Sequence, residues 1–182
     1  MALLVGLVVL AGCGSPAGGD SSASPSSDLL ERYGLASLTT AEIVEKLDQS
    51  PETRPTKLAG SVRPDQLLLS EGDEQLALDM PDDQFYLSVA PYLTHTHDCF
   101  YHNTGSCQGE LVNSQVHVTI TTADGIVIVN RDATTYANGF IGFWVPTGSS
   151  GTITVSQDGK SGTVPFATGD QDATCITTLK LV

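Results

Sequence analysis

Basic side chains are scarce in this sequence. Only 8 Lys and Arg stand against 21 Asp and Glu among 182 residues, so the formal net charge is -13. A nucleic-acid-binding protein needs a basic face that displaces counterions from phosphates, and so few scattered cations do not supply one. A polybasic patch for an anionic membrane surface is excluded for the same reason. Nucleic acids are therefore not predicted as partners.

Common catalytic motifs are absent as well. The sequence has no G-x-S-x-G nucleophile elbow, no H-E-x-x-H metalloprotease motif and no glycine-rich phosphate loop after a strand. It also has no C-x-x-C pair, which disfavours an ordinary thioredoxin-like oxidoreductase. No helical pattern separates the later strands, so neither a TIM barrel nor a Rossmann fold is predicted.

Long apolar runs are confined to the start of the chain. Residues 1–12 are almost entirely apolar, but this run is shorter than the roughly 20 residues that span a bilayer. It leads into Leu10-Ala11-Gly12-Cys13, which looks like a bacterial lipobox. We therefore predict a lipoprotein signal peptide over 1–12 and lipidation (palmitate) of Cys13. The Gly/Ser-rich segment 13–27 is predicted to tether an extracytoplasmic domain to the membrane.

The pattern after the tether predicts a mainly β (α+β) protein. Asp28 is placed to cap a short helix, and Thr39 with Glu42 forms a capping box for a second one. Short strand-like segments follow, and Asp158-Gly159 is typical of a hairpin turn. The last predicted strand runs from Thr174 to Leu181.

These elements predict an architecture and a division. Short N-terminal helices and an antiparallel sheet are expected in an α+β part over 28–92. A β-sandwich-like domain is expected over 93–182, since strands recur there at short spacing. The aromatic residues Phe140, Phe143 and Trp144 are predicted to lie in the core or to cover the site.

The cysteines and histidines concentrate in one segment. Residues 95–107 hold three of the four His and two of the three Cys that remain after Cys13. The third, Cys175, lies in the last predicted strand, which sheet pairing can bring to the same place. His97 and His102 flank Cys99 and are candidates for ligands, whereas His95 and His117 are predicted to be surface groups.

Three cysteines permit several chemistries. Outside the cytoplasm a disulfide is expected, yet any pair among Cys99, Cys107 and Cys175 leaves one thiol over. Three thiolates suit Cu(I), and zinc would take His97 or His102 as a fourth ligand. The spacing alone leaves copper, zinc and a structural disulfide open. A site that is a disulfide plus a thiol when oxidised and three thiolates when reduced is also consistent with it.

The segment around these residues resembles a known family. The runs 97–102 (HDCFYH) and 107–111 (CQGEL) look like the signature of the CueP family of bacterial periplasmic copper-resistance proteins. The resemblance extends over nearly all of the chain after the tether, through the segments 61–64, 85–88, 90–92, 117–120, 139–141, 159–161, 174–175 and 177–179, and Trp144.

The resemblance carries specific expectations. It implies Cu(I) binding by Cys99, Cys107 and Cys175, a homodimer formed through the N-terminal part, and thiols on which extracytoplasmic disulfide enzymes act. It further implies copper storage, delivery to extracytoplasmic cuproenzymes, or copper-assisted reduction of ferric iron. This chain departs from the family in carrying a lipobox and a Ser-rich tether.

The predicted function is thus a membrane-tethered Cu(I)-binding protein for copper tolerance, rather than a classical enzyme. Two alternatives remain at this point. One is a thiol–disulfide or Fe(III)-reducing redox protein that needs a reactive thiolate. The other is a lipoprotein binding module in which the cysteines form a structural disulfide.

Overall fold

The structure, a computed structural model, describes residues 25–182. The predicted signal peptide, the lipidation of Cys13 and all but the last three tether residues lie outside the described residues. The described chain forms two helices and ten strands: α1 (Pro25–Arg32), α2 (Thr40–Asp48), β1 (Ala59–Val62), β2 (Gln66–Glu71), β3 (Glu74–Asp79), β4 (Gln84–Val89), β5 (Gln115–Thr122), β6 (Val127–Thr134), β7 (Ile141–Pro146), β8 (Ser150–Gln157), β9 (Lys160–Ala167) and β10 (Cys175–Ile176).

The second helix begins as its sequence predicts. Thr39 Oγ1 accepts a hydrogen bond from the Glu42 backbone N–H at 3.3 Å, and Glu42 Oε2 accepts one from the Thr39 N–H at 2.8 Å. This reciprocal pair satisfies two donors that the helix leaves unbonded.

The prediction for α1 is wrong in one respect, because the helix begins at Pro25 and Asp28 lies inside its first turn. Pro is well suited to the first helical position, where its missing N–H costs nothing.

The ten strands form three sheets. Their orders are β1-β2-β3, β10-β4-β7 and β6-β5-β8-β9. All neighbours are antiparallel except β10 and β4, which are parallel. The predicted mainly β fold, with two short N-terminal helices and antiparallel sheets, is confirmed. Neither helix within residues 25–182 combines the length and the apolar character that crossing a membrane requires.

Strand β4 separates two hydrophobic cores. Phe85, Leu87 and Val89 point into the core between the two later sheets. Tyr86, on the opposite face of the strand, belongs to the core between the helices and the first sheet. Side chains alternate across a strand, so a central strand that is covered on both sides buries all of them. The division of the chain into 28–92 and 93–182 stays a prediction.

The turn between β8 and β9 is the predicted hairpin. Asp158 and Gly159 have φ of +50° and +80°, and Gln157 pairs with Lys160 on either side of them. Two successive residues with positive φ give the turn whose twist matches that of the strands. This part of the sequence therefore specified its structure locally.

The last predicted strand is shorter than expected. Instead of extending from Thr174 to Leu181, β10 contains only Cys175 and Ile176. Ile176 pairs with Val89, but the next bridge joins Tyr92 to Lys180, which shifts the pairing by one residue. The shift interrupts the ladder, and Pro91 between the two pairings has no N–H to continue it.

Candidate metal centre

The segment with the Cys/His cluster is a long connection between β4 and β5 that is held against β1. The Val62 N–H donates to the His102 carbonyl at 2.8 Å, and the Thr104 N–H donates to the Gly60 carbonyl at 2.9 Å. Inside the segment, the Cys107 N–H donates to the Asn103 carbonyl at 3.0 Å, which forms a tight turn. These backbone bonds fix His102 and Cys107 although neither lies in a regular strand.

The third cysteine arrives through β10. The Cys175 N–H donates to the Phe100 carbonyl at 3.1 Å, which ties β10 to the connection. One residue earlier, the Thr174 hydroxyl donates to the Val62 carbonyl at 2.7 Å and accepts from the His102 N–H at 2.9 Å. Thr174 is thus a buried bridge between three chain segments, and it places Cys175 beside the cluster.

The three thiols converge in one small apolar cluster. Cys99, Cys107 and Cys175 pack together with Ala90 and Phe140. Cys107 and Cys175 are 8% and 3% exposed, and Cys99 is partly exposed. All three are free thiols, and the Cys99 and Cys107 sulfurs are 3.5 Å apart, well beyond the roughly 2.05 Å of a disulfide bond.

Two sets of potential ligands meet in this cluster. One set is His97, Cys99 and Cys107, and the other is His102, Cys107 and Cys175. Within each set the donor atoms all lie within 4.8 Å of one another. Sulfur and imidazole nitrogen are donors that copper and zinc accept, whereas Ca²⁺ and Mg²⁺ require oxygen. The donor set therefore fits a soft or borderline metal ion.

His97 has a nitrogen without a partner. Its Nε2 atom is buried and makes no hydrogen bond. Its ring packs edge-on against Phe140, with 6.0 Å between the ring centroids. A buried polar atom left unpaired costs about 1–3 kcal/mol, so the vacant nitrogen is a second observation that fits a bound metal ion.

His102 is held by a buried carboxylate from the end of α2. Both His102 and Asp48 are 0% exposed, and Nε2 of the imidazole lies 2.8 Å from Asp48 Oδ1. Asp48 also accepts hydrogen bonds from the Tyr86 hydroxyl and the Asn138 amide, each at 2.7 Å. With Nε2 engaged, Nδ1 is the ring nitrogen that faces the thiols, 3.9 Å from Cys175 Sγ.

The Asp48–His102 contact is an ion pair in the folded protein. Burial alone lowers the pKa of His102, but the negative charge and hydrogen bond of Asp48 raise it to about 9. Burial conversely opposes ionisation of Asp48, and the charge of His102 outweighs this, so the pKa of Asp48 stays below its usual value. A positive charge therefore lies beside the thiol cluster at neutral pH.

Cys107 is the most acidic thiol of the three. Hydrogen bonds from Cys175 and then from Cys99 lower its pKa, with a further contribution from His102. In return, the hydrogen bond to Cys107 raises the pKa of Cys99 to about 12, and the same interaction raises the pKa of Cys175. The Cys99 and Cys107 sulfurs, 3.5 Å apart, are close enough to share a proton, and Cys107 is the thiol of the three whose pKa is lowered.

The remaining histidines lie outside the cluster, as predicted. The His95 side chain is 76% exposed and lies 3.4 Å from Glu110. His117 is on the surface of β5, where it contacts Asp132 at 2.7 Å and Asn130 at 2.8 Å. Phe140 is confirmed as a core residue that covers the cluster, and it packs against both His97 and His102.

Sequence reasoning missed Asp48 and Asn138. Asp48 follows an apolar stripe at the end of a short helix, where an acidic residue is ordinarily solvated. Its partner His102 is 54 positions away in the sequence, and Asn138 is 90 positions away. Only the tertiary fold brings them together. A weak signal was available, since an acidic group is unfavourable near the negative end of a helix dipole and thus requires another partner.

Comparison with known proteins agrees with this geometry. A family model described as periplasmic copper-binding protein CueP matches residues 42–180. The chain belongs to the CueP family. The match includes all three clustered cysteines and both inward-facing histidines, so the predicted family membership is confirmed. CueP proteins are periplasmic and bind copper, which agrees with the predicted extracytoplasmic location and the predicted metal at this coarser level.

A solved CueP structure has the same fold. The crystal structure of S.CueP is 42% identical in sequence and superimposes with a TM-score of 0.86. The alignment covers 88% of this chain and 99% of S.CueP. A search of curated proteins finds no match.

Proposed function

We propose that this CueP-family protein binds Cu(I) outside the cytoplasm through Cys99, Cys107 and Cys175 and thereby provides copper tolerance. The observation that carries the proposal is the convergence of free thiols from two distant parts of the chain, with Cys99 and Cys107 sulfurs 3.5 Å apart and Cys175 in the same cluster. Thiolates are the protein ligands that select Cu(I). Copper held in this way is sequestered, or is delivered to an extracytoplasmic cuproenzyme.

The electrostatics of the cluster support thiolate chemistry. A metal ion binds the thiolate rather than the thiol, and Cys107 already has a lowered pKa. His102, whose charge Asp48 maintains, stabilises that thiolate before any metal arrives. His97 and His102 supply nitrogen ligands in the two donor sets.

Partial exposure of Cys99 favours storage or delivery over a permanent structural metal. Cys107 and Cys175 are buried, but Cys99 reaches the surface and gives an incoming donor or acceptor a first point of contact. Zinc is the less favoured metal, because a structural zinc site takes four ligands in a closed tetrahedron. Each of the two donor sets supplies three.

The direct test is an anaerobic titration of the reduced protein with Cu(I) in competition with a coloured Cu(I) chelator. We expect the wild-type protein to extract Cu(I) from the chelator and the Cys99→Ser/Cys107→Ser/Cys175→Ser variant to lose this ability. His117→Ala is the matched control, since His117 lies on the surface and outside both donor sets. Unchanged affinity in the triple variant would contradict the proposal, and preference for Zn²⁺ over Cu(I) would assign the site to zinc.

Thiol redox chemistry is the second candidate, and the proximity of Cys99 to Cys107 favours it. Closing their 3.5 Å gap to a disulfide requires only a small movement. Oxidation of the two thiols releases two protons and two electrons, which reduce one substrate disulfide to two thiols or two Fe(III) ions to Fe(II). The Cys107 thiolate is the expected nucleophile, and Cys99 is the expected resolving thiol.

Turnover separates this candidate from copper binding. A redox protein reduces more than one equivalent of disulfide or Fe(III) per chain when an external thiol reductant is supplied, and Cys107→Ser abolishes this turnover. A copper-dependent reductase shows turnover only with Cu(I) present. A lipoprotein binding module with a structural disulfide shows neither activity, binds no copper and keeps an oxidised cysteine pair in mild reductant.

Membrane attachment and assembly complete the proposal. The lipobox ending at Cys13 supports lipid anchoring at the outer face of a membrane, with 13–27 as the tether. We expect Cys13→Ala to release the protein into the soluble fraction, and mass spectrometry of the wild-type protein to detect acyl chains on Cys13. Homodimerisation through 28–92 and contact with extracytoplasmic thiol–disulfide enzymes rest on the family resemblance, and light scattering tests the dimer.

A further inference from the structure

The two donor sets overlap at a single atom. Cys107 Sγ belongs to both, whereas His97 with Cys99 and His102 with Cys175 belong to one each. We propose that the cluster holds two Cu(I) ions bridged by the Cys107 thiolate, one bound also by Cys99 and His97, the other by Cys175 and His102. This inference rests on the proposed function, because it assigns the same three thiols to Cu(I).

The number of donors exceeds what one Cu(I) ion uses. Each set supplies two sulfurs and one ring nitrogen within 4.8 Å of one another, enough for a three-coordinate ion. Among the described residues, neither set contains both imidazoles or all three sulfurs. A single ion in either set leaves two donors unused, whereas two ions that share Cys107 use all of them.

The bridging position suits Cys107 in particular. Its sulfur lies 3.5 Å from Cys99 Sγ and accepts a hydrogen bond from the Asn103 N–H at 3.4 Å. The Cys175 sulfur is 3.9 Å from His102 Nδ1, and the donor atoms of Cys175 and His102 lie within 4.8 Å of Cys107 Sγ. Of the described residues, Cys107 is therefore the one whose donor atom lies within 4.8 Å of the donor atoms of both other thiols and of both imidazoles.

His97 and His102 each have a ring nitrogen that can bind a metal ion. The Nε2 atom of His97 is buried without a hydrogen-bond partner. The Nε2 atom of His102 is engaged by Asp48, so the second ion takes Nδ1, and the proton that Nδ1 carries in the charged ring is released to solvent. The two rings contact the same Phe140 side chain, which fills the space around both halves of the site.

Charge balance also favours a second ion. Three thiolates with one Cu(I) carry two negative charges, and the positive charge of His102 does not offset them because the buried Asp48 carboxylate already balances it. Uncompensated charge is costly where it is shielded from water, as it is at the buried Cys107 and Cys175. A second Cu(I) ion removes half of the excess negative charge of the thiolate cluster.

The test is a count of copper ions per chain. Full-length reduced protein is loaded with Cu(I) alone under anaerobic conditions, and native mass spectrometry records the bound ions. We expect two in the wild-type protein and in the His117→Ala control. Cys175→Ser and the His97→Ala/Cys99→Ser double variant should each bind one copper ion per chain, half the wild-type number, because each variant leaves one donor set complete. Cys107→Ser should disrupt both.

Each outcome distinguishes this inference from the proposed function. One bound ion in the wild-type protein overturns the bridged pair and leaves Cu(I) binding by the thiols standing. Two ions that persist in both half-site variants overturn it as well, because the second ion then lies elsewhere. No bound copper overturns both proposals. Circular dichroism of each variant verifies that a lower count does not result from unfolding.

Discussion

Asp48 is the residue on which the orientation of His102 depends most directly. Its carboxylate holds His102 Nε2 at 2.8 Å and accepts from Tyr86 and Asn138 at 2.7 Å. An amide at this position cannot accept all of these hydrogen bonds, since half of it is a donor. In the proposed copper site, Asp48 thus acts through His102 and is a positioning residue.

We predict that Asp48→Asn destabilises the protein and weakens Cu(I) binding. Breaking a buried ion pair costs about 3–5 kcal/mol, measured as the free energy of unfolding in urea. The ¹⁵N chemical shifts of His102 should show loss of the fixed Nδ1/Nε2 arrangement. Asp132→Asn is the matched control, because it alters the exposed His117–Asp132 pair, whose loss is expected to change the stability little. Equal effects of the two substitutions contradict the role given to Asp48.

Glu110 gives a prediction about pH. Hydrogen bonds from the Thr94 hydroxyl and N–H, with others from Leu93 and His95, lower its pKa to about 2. A carboxylate with a lowered pKa stabilises the fold above its unfolded pKa, and this contribution is lost as pH falls through the folded value. The stability difference between wild type and Glu110→Gln should therefore be full above pH 4.5 and shrink toward pH 2.

Urea unfolding of both proteins between pH 7 and pH 2 measures that difference. Thr94→Val removes the hydroxyl donor and should reduce the pH-dependent part of it. A difference that stays constant over this range would show that the Glu110 charge is not what holds residues 93–95.

Some residues of the candidate site could be recognised in the sequence and others could not. The cysteines and His97 and His102 were identifiable because their residue types are rare and adjacent in sequence. The roles of Asp48, Asn138 and Thr174 could not be predicted, because each depends on contacts with residues that are distant in sequence and meet only in the tertiary fold. Thr174, for example, meets His102 across 72 positions of sequence.

At the scale of elements, the loops between strands contribute side chains to the site just as the strands do. The loop before β7 brings Asn138 and Phe140 to the cluster, and its geometry depends on Gly139. Gly139 has φ of +77°, and a Cβ there would lie 2.8 Å from Gly109 Cα and would also contact the Gly109 carbonyl oxygen. Only glycine satisfies both the backbone conformation and the close approach.

We predict that Gly139→Ala is more destabilising than Gly159→Ala. Gly159 has a similar φ of +80° but no atom within 4 Å of the added Cβ, so it reports the backbone cost alone, about 1–2 kcal/mol. Gly139→Ala adds a clash with backbone and should also weaken Cu(I) binding, because Phe140 moves with it. Thermal unfolding and the chelator competition measure the two effects. Equal losses in both variants would mean that the Gly109 contact is unimportant.

Elements whose contacts lie within a few residues of one another were predicted well from the sequence. The capping box of Thr39 and the turn at Asp158-Gly159 were predicted because hydrogen bonds and positive φ lie within a few residues. The length of β10 was predicted wrongly, because the register shift near Lys180 depends on β4 and Pro91, far away in the sequence.

At the scale of the whole molecule, the site joins the two hydrophobic cores. Asp48 comes from α2, whose apolar side chains share a core with the first sheet, and Cys175 lies on the strand that pairs with β4. A ligand that binds only the folded state stabilises it by mass action. Copper bound here should therefore stabilise both parts of the described chain together.

We predict that Cu(I) raises the melting temperature. At free Cu(I) 100-fold above the dissociation constant, the gain is about 2.7 kcal/mol, or roughly 5–10 °C for a protein of this size. Differential scanning calorimetry of the reduced protein measures the shift, and the triple Cys→Ser variant should show none. A shift in that variant would place the copper at another site.

Binding of Cu(I) by the clustered sulfurs is tested most directly by X-ray absorption at the copper edge. For the reduced, Cu(I)-loaded wild-type protein, we predict an edge typical of Cu(I) and a first shell dominated by sulfur. The sulfur contribution should fall in Cys107→Ser, while the spectrum of His117→Ala stays unchanged. A first shell of nitrogen and oxygen alone in the wild-type protein would contradict the account.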